Sequence, residues 1–316
     1  MSMFLIGVLV SGGLVVGGLV LFTAIIARQV ERALPACGQF IEIDGSRLHY
    51  LDKGHGPTIM MIHGLSGQLR NFTCSLLDRL TGDFRVILID RPGSGYSSAA
   101  GRGSARLSAQ GRLVAKLIGA LGLNRPLLVG HSFGGAVALS VALENPGCIG
   151  GLALIAPLTH MQKTVPAPFR SLNIRSRMLR RIVAWTVATP AGMLRGNAIL
   201  DAVFAPDLPP RDFPTKGGGL LTLRPGSFFA ASSDMVAIKE DLPNMIGRYS
   251  TLSVPIAILF GTEDRILNYQ THGEAMKRKI ATLDLELIPD GHMLPVSASE
   301  TTADWIRAVA RKFAIN

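Results

Sequence analysis

The chain has 316 residues, of which 48% are hydrophobic, and a formal net charge of +10. Its length allows one large domain or two smaller ones with a sizeable core. Its three cysteines, Cys37, Cys74 and Cys148, are odd in number and far apart, which argues against a disulfide framework or a zinc site. The positive charge suits nucleic acid or an anionic membrane. Because the basic residues are not interleaved with aromatics in a nucleic-acid motif, we expect a membrane surface and no nucleic-acid partner.

An uncharged apolar run opens the chain. Residues 3–27 contain no charged side chain, and as a helix they would be about 37 Å long, enough to cross a hydrocarbon core of about 30 Å. We therefore predict a single-pass transmembrane anchor over residues 1–28, followed by a linker over residues 29–39. Arg28 and Arg32 follow the run, so the positive-inside rule places the large C-terminal part on the cytoplasmic side of the membrane.

Two other interpretations of this apolar run stay open. A cleaved signal peptide usually has Lys or Arg before a shorter apolar stretch, and this chain has neither feature. A lipoprotein site ending at Cys37 would be separated from the apolar run by charged residues. We therefore favour the transmembrane anchor.

Strands and helices alternate through the next part of the chain. Residues 40–51 predict a β-hairpin that turns at Asp44-Gly45. Continuous apolar runs then predict buried strands at residues 58–62, 84–89, 126–129 and 151–155. Helical spacing lies between them, at residues 71–80 and 107–121. Apolar strands that alternate with helices indicate a parallel sheet covered on both faces.

The alternation breaks between residues 158 and 253. This segment has many prolines and glycines, no clear buried strand, and twelve Lys or Arg against six Asp or Glu. Because it is too long for a connection in a compact domain, we predict an inserted helical lid. Within it, residues 169–187 mix arginines with apolar side chains. They predict either a basic amphipathic helix on a membrane surface or a lid helix with a solvated basic face.

The sheet pattern then resumes. Strands are predicted at residues 254–260 and 283–288, and helices at residues 269–280 and 300–313. After the anchor and the linker, the predicted domains are a first core part at 40–157, the lid at 158–253 and a second core part at 254–316.

A serine lies in a glycine-rich turn between a predicted strand and a predicted helix. Residues 130–135 read Gly-His-Ser-Phe-Gly-Gly, and Gly130 and Gly134 flank Ser132 where side chains would clash as the chain reverses. Such a turn exposes the serine hydroxyl to a base and points the first helix amides at a developing oxyanion. The turn therefore predicts Ser132 as a nucleophile.

A serine hydroxyl is a weak nucleophile unless a base lies beside it and a carboxylate orients that base. Asp264 follows the predicted strand at 254–260, and His292 follows the one at 283–288. Because the carboxyl ends of parallel strands meet at one edge of a sheet, we expect Ser132, Asp264 and His292 to converge there.

These motifs and their order resemble the α/β-hydrolase family over residues 40–316. The matching motifs are His63-Gly64 after a strand, Asp-Arg-Pro-Gly-Ser-Gly-Tyr-Ser at 90–97, the Ser132 turn, Gly-Thr-Glu-Asp at 261–264, and Gly291-His292. The resemblance implies an α/β fold with a doubly wound, mostly parallel sheet and the lid as an insertion. It implies no cofactor and no metal, and the chain also lacks a Rossmann or Walker motif.

The resemblance also implies a role for each site residue. Ser132 would attack an acyl carbonyl, His292 would accept its proton, and Asp264 would hold the imidazole. The residues implied around the oxyanion are Leu65 and Phe133, whose amides would form the oxyanion hole, and His63 and Gly64, which would support the loop.

Three neighbouring residues leave alternatives. His131 adjoins the nucleophile, and we expect it to pack rather than to react. Glu263 is an alternative to Asp264 as the acid. Asp90 fits a residue that organises a turn better than a member of the triad.

Relatives in this family that form an alkyl-enzyme have an aspartate at the position of Ser132, so a serine favours an acyl-enzyme. The lid is rich in Leu, Met, Phe and Ala. We therefore predict a membrane-anchored serine hydrolase that cleaves carboxylic esters with an apolar acyl group, its partner being a small or lipid-like ester. The same triad could instead cleave a C–C bond, an amide, a thioester or a lactone, and some members of the family are non-catalytic receptors or scaffolds.

Overall fold

The computed structural model describes residues 3–101 and 103–315. Its first helix, α1, runs from Met3 to Ala33, so the beginning of the segment predicted as a linker is helical. Residues Val10–Ala33 form a helix that is long and apolar enough to cross a membrane, and only 6% of its apolar window is buried against the protein. This exposure distinguishes α1 from the core helix of a soluble domain, while a signal sequence would pass the same test.

Eight strands form one sheet. They are β1 Gln39–Ile43, β2 Ser46–Lys53, β3 Thr58–Ile62, β4 Arg85–Ile89, β5 Leu127–His131, β6 Gly151–Ile155, β7 Ile256–Gly261 and β8 Asp284–Ile288. Their spatial order is β1-β2-β4-β3-β5-β6-β7-β8. The β1–β2 and β2–β4 pairs are antiparallel and the other pairs are parallel. The predicted doubly wound, mostly parallel sheet is confirmed.

Helices cover both faces of this sheet. They are α2 Arg70–Thr73, α3 Leu77–Leu80, α4 Leu107–Ala120, α5 Phe133–Glu144, α9 Ala275–Lys279, α10 Leu294–Ser297 and α11 Ser299–Lys312. Alternate residues of β3 point to opposite sides. Met60 and Ile62 belong to the cluster that includes residues of α4 and α5, whereas Ile59 and Met61 pack with α2, α3 and α11. The central strands are therefore apolar on both faces, as their continuous apolar runs predicted.

Two predicted helices differ from the structure. The helix predicted at 71–80 is wrong as a single element, because it is divided into α2 and α3. Short polar residues lie at the division, and Ser75 Oγ donates a hydrogen bond to the carbonyl of Pro295, which ties this point of the chain to α10. The helix predicted at 269–280 begins with a short π-helix at Gln270–Glu274, before α9. This π-helix contains the buried His272.

The segment at 158–253, here called the insertion, contains no strand and three longer helices. These are α6 Arg177–Thr186, α7 Ala188–Phe204 and α8 Pro225–Arg248. The single helix predicted at 169–187 is wrong, because a 3₁₀ turn at Ala167–Leu172 precedes α6. The Ser176 side chain accepts a hydrogen bond from the Leu179 amide and so caps α6.

Candidate active site

Ser132 lies at the sharp turn between β5 and α5. Its backbone angles are φ 55° and ψ −119°, outside the region that most side chains adopt. The turn requires glycine nearby: a Cβ on Gly134 would lie 2.1 Å from the carbonyl oxygen of Ile62, and one on Gly130 would lie 2.7 Å from the carbonyl oxygen of Gly134. The strained turn directs the Ser132 side chain away from the sheet, at the rim where β5 ends.

The three residues predicted to converge do meet at this rim. His292 Nε2 lies 3.0 Å from Ser132 Oγ, and His292 Nδ1 lies 2.7 Å from Asp264 Oδ2. The other oxygen of Asp264 accepts hydrogen bonds from the amides of Ile266 and Leu267, at 2.7 and 2.8 Å. The Asp264 carboxylate is therefore fixed from both sides. With Nδ1–H donating to Asp264, the free Nε2 of His292 is available to accept the serine proton.

The two amides predicted to form an oxyanion hole lie at the same pocket as Ser132, because Leu65 and Phe133 both line it. Phe133 is the first residue of α5, so its amide has no acceptor within the helix. Among the residues that the structure describes, neither amide donates a hydrogen bond to another protein group. Two N–H groups beside the serine are thus available to an oxyanion.

His63 holds the loop that carries Leu65. Its Nδ1 donates to the carbonyl of Gly64 at 2.8 Å, and its Nε2 accepts from the amide of Arg91 at 3.0 Å. Complete burial, followed by the nearby Arg91 charge, lowers the pKa of His63 to about 3. The imidazole is therefore neutral at physiological pH, and its two hydrogen bonds fix its tautomer.

Arg91 is a structural residue that the sequence analysis did not single out. It is fully buried, and its guanidinium donates to the carbonyls of His63 and Gly64, at 3.0 and 2.9 Å. It also pairs with Asp234 of α8 at 2.7 Å, and lies over the ring of Phe133, 4.5 Å from its centroid. Arg91 thus joins the oxyanion loop, the nucleophile helix and the insertion.

The neighbouring residues have other contacts. His131 is buried, its Nε2 donates to the carbonyl of His292 at 3.1 Å, and burial lowers its pKa to about 3. Glu263 is exposed to solvent. Asp90 accepts hydrogen bonds from His49 Nδ1 and from the amides of Leu69 and Tyr96, each at 2.7–2.8 Å. His131 therefore holds the backbone of His292 in place, and Asp90 organises its own turn.

A cavity of about 80 Å³ opens above Ser132. Its wall is mostly apolar and includes Leu158, Met161, Val165, Phe169, Met235 and Ile238. All six belong to the insertion, so this segment shapes the space in which a substrate would lie. Within the described ranges, no group of three or more His, Cys, Asp or Glu side chains is placed to hold a metal ion.

Comparison with known proteins agrees with the fold and the arrangement of the site. Residues 57–298 match the sequence profile of the alpha/beta hydrolase fold. The chain therefore belongs to this family, and it is a hydrolase of the alpha/beta fold.

Individual relatives differ in how much of the chain they match. The 2-hydroxy-6-oxononadienedioate/2-hydroxy-6-oxononatrienedioate hydrolase 2 of Pseudomonas putida is 27% identical over 226 residues, 70% of this chain and 76% of that protein. The dihydrolipoyllysine-residue acetyltransferase component of the acetoin cleaving system of Cupriavidus necator is 36% identical over 129 residues, 40% of this chain. That match spans only 34% of the Cupriavidus protein.

Among solved structures, a membrane phospholipase A described as a novel bacterial virulence factor superposes with a TM-score of 0.70. It is 25% identical, and the alignment covers 100% of both chains.

Proposed function

We propose that the protein is a membrane-anchored serine hydrolase that cleaves carboxylic esters with apolar acyl groups through an acyl-enzyme. The observation that carries the proposal is the 3.0 Å contact between Ser132 Oγ and His292 Nε2. The two side chains lie beside the unpaired amides of Leu65 and Phe133 and below an apolar cavity.

The proposed reaction follows from these positions. As Ser132 Oγ attacks the ester carbonyl, His292 Nε2 takes its proton, and the amides of Leu65 and Phe133 bind the oxyanion. When the tetrahedral intermediate collapses, His292 returns the proton to the departing alcohol and the acyl group stays on Ser132. A water molecule then attacks the acyl-enzyme by the same steps in reverse order and releases the acid. Asp264 stabilises the imidazolium that forms in each half-reaction.

The apolar cavity supports an apolar acyl group as the substrate portion. An acyl chain in contact with Leu158, Phe169 and Ile238 would bury its methylenes at about 0.8 kcal/mol each. Polar side chains are few in the wall, and among them His160 and Lys239 lie at the cavity. An ester with an apolar acyl group therefore fits better than one with a polar acyl group.

The anchor is supported by α1, whose apolar window remains exposed. The full-length likeness to a membrane phospholipase A points the same way. A cleaved signal sequence is the competing interpretation of α1. Cell fractionation separates the two, because an anchor stays in the membrane fraction at full length and a signal sequence is removed.

Hydrolysis of a C–C bond is the second candidate, and the resemblance to the Pseudomonas putida hydrolase favours it. The same triad and amides would serve, but the leaving group would be a carbanion that needs protonation. A non-catalytic receptor would need neither the Ser132–His292 contact nor the free amides.

The test is a panel of p-nitrophenyl esters of increasing acyl length, with a 2-hydroxy-6-oxo-dienoate as the C–C substrate. We expect the wild type to hydrolyse esters with apolar acyl groups, and Ser132→Ala to lose this turnover. Equal turnover by both proteins would refute the role of Ser132. Faster turnover of the C–C substrate than of any ester would replace the ester assignment with the second candidate.

A further inference from the structure

Helix α6 has its polarity reversed relative to an ordinary surface helix. Arg180 and Ala184 are buried against the protein, and Arg180 donates to the Ile174 carbonyl and to Ser233 Oγ. The residues on the opposite side are large and apolar. They are Met178, Leu179, Ile182 and Trp185, with exposures of 74%, 49%, 49% and 41%; we call them the outer apolar face. At 100° per residue, this face points away from Arg180 and Ala184, and only Thr186, the last residue of the helix, is buried on the same side.

An apolar face directed away from the core marks a contact surface. The helix that follows continues it, since Met193 and Leu194 of α7 are also exposed, Leu194 by 87%. Ordinary surface helices place their apolar stripe inward, because burial of that stripe stabilises the fold. The outer apolar face is therefore a candidate surface for an apolar neighbour.

Arginines border this face and lack acidic partners. Arg175, Arg177 and Arg181 are exposed, and within residues 3–101 and 103–315 none of them forms an ion pair. Arg181 lies beside the outer apolar face, one turn before Trp185, whereas the Arg177 guanidinium lies over the ring of Phe229 in α8, 5.8 Å from its centroid. Apolar residues flanked by unpaired arginines, with a tryptophan among them, match the boundary between lipid headgroups and acyl chains.

The position of α6 relative to α1 also supports a lipid bilayer as the neighbour of the outer apolar face. α1 contacts both α6 and α7, and Thr23, inside the apolar run, is fully buried. Near its end, α1 is fixed to the insertion by packing of Val30 on Leu221 and by an ion pair between Glu31 and Arg224 at 3.4 Å. Packed helices lie about 8–10 Å apart. If α1 spans a bilayer, the end of α1 that holds the insertion lies at the membrane surface, and α6 packs beside the same helix.

We propose that α6 lies in the interface of an anionic bilayer, with the outer apolar face among the first acyl-chain carbons and Arg175 and Arg181 on lipid phosphates. The inference rests on the proposed membrane anchor and extends it to the insertion. The contact reaches the active site through a short stretch of chain, because Phe169 lines the cavity and α6 begins at Arg177. An ester in the adjacent leaflet would thus lie close to the wall of the cavity.

The test uses the full chain reconstituted into vesicles and the fluorescence of Trp185. The chain has two tryptophans, and the other, Trp305, is 6% exposed in the core. Lipids brominated near the top of the acyl chain quench indoles that lie at that depth. We expect these lipids to quench the tryptophan fluorescence of the wild type. In Trp185→Phe this quenching should be lost, and the fold should be kept because Trp185 is exposed.

A second comparison tests the arginines. In Arg175→Gln/Arg181→Gln, we expect weaker quenching in phosphatidylglycerol vesicles and little change in phosphatidylcholine. The matched control, Arg112→Gln/Arg311→Gln, removes two exposed charges from α4 and α11, outside the insertion. It should leave the quenching unchanged. Equal loss in both double variants would contradict a specific contact between the lipid and the insertion.

Three outcomes overturn the proposal. If the protein floats with the vesicles but wild type and Trp185→Phe are quenched equally, α6 is outside the lipid and the anchor stands. If Trp185 emission changes with the protein-to-lipid ratio and bromine has no effect, a second copy of the chain covers the face. If the protein does not float, the anchor and this inference fail together. Ester turnover measured in detergent tests the catalytic proposal separately from the membrane contact.

Discussion

At the scale of single residues, the orientation of His292 depends on one carboxylate oxygen. Asp264 Oδ2 accepts the Nδ1 proton of His292 at 2.7 Å, while Oδ1 is occupied by two backbone amides. In Asp264→Asn, the side-chain oxygen can keep the amides, and the NH₂ group then faces His292 Nδ1. The imidazole would place its proton on Nε2, where it cannot accept from serine.

We therefore expect Asp264→Asn to fold normally and to lower kcat by about 10⁴. Ester turnover and thermal unfolding measured on the same preparation check this expectation. Glu263→Gln is the matched control, since Glu263 is exposed and should keep wild-type activity. A larger loss in Glu263→Gln than in Asp264→Asn would transfer the acid role to Glu263.

Arg91 provides a second prediction at this scale. Arg91→Met removes the donors to the His63 and Gly64 carbonyls and leaves Asp234 buried without its ion-pair partner. We expect a loss of about 3–5 kcal/mol in the free energy of unfolding, because an unpaired buried charge is costly. Denaturant titration gives this value. Arg91→Met/Asp234→Leu should recover much of it, and a double variant as unstable as the single one would show that the ion pair is not the cause.

The sequence could predict the triad but not Arg91, and the difference is physical. Ser132, Asp264 and His292 each follow a predicted strand, and the fold brings strand ends together. Arg91 has partners that no local pattern connects to it: Asp234 is 143 positions away, in a helix that the sequence did not reveal. A buried arginine becomes recognisable only when its acceptors are in place.

At the scale of elements, the nucleophile turn depends on close backbone approach. A Cβ on Gly134 would lie 2.1 Å from the Ile62 carbonyl oxygen, whereas one on Gly119, in α4, would meet nothing within 4 Å. We expect Gly134→Ala to displace α5 from β3 and to reduce both activity and stability. Gly119→Ala should stabilise the protein by up to about 1 kcal/mol, because alanine loses less backbone entropy in a helix.

Unfolding midpoints and ester turnover of the two glycine variants check this pair. The pair separates the effect of an added methyl group from the effect of its location. Full activity in Gly134→Ala would mean that the turn tolerates a side chain and is not held by this contact.

An element could be predicted where its local sequence pattern stabilises it, and could not where its tertiary contacts do. The central strands could be predicted because both of their faces are apolar. α8 was not predicted, because Pro243 lies inside it and proline ordinarily interrupts the interior of a helix. Its burial supplies the missing stability, with Leu242 and Met245 in the main core cluster. Tertiary contacts thus overrule the local signal in the insertion, where the sequence left the helices unresolved.

At the scale of the whole molecule, three buried histidines make the fold sensitive to acid. Burial lowers the pKa of His63 and His131 to about 3, and that of His272 to about 4. In the unfolded chain each would have a pKa near 6.5. As the pH falls below about 6.5, the unfolded state takes up protons that the folded state does not, so stability decreases until the pH reaches the folded values.

Each of these histidines should remove about 2 kcal/mol of stability by pH 5. Thermal unfolding at pH 8, 6 and 5 measures the decrease. The comparison variant is His272→Asn, because an asparagine oxygen can replace Nδ1 as the acceptor for the amides of Thr159 and His160. It should lose less stability between pH 8 and pH 5 than the wild type. Identical losses would exclude His272 as a source of the acid sensitivity.

The most direct measurement of the central claim, that His292 activates Ser132, is covalent labelling by a fluorophosphonate followed by peptide mass spectrometry. We predict one phosphonylated peptide, modified at Ser132. The label should be absent from Ser132→Ala and should form at least about a hundredfold more slowly in His292→Gln, because the base is missing. A folded wild-type protein that stays unlabelled, or that carries the same label in Ser132→Ala, would contradict the account.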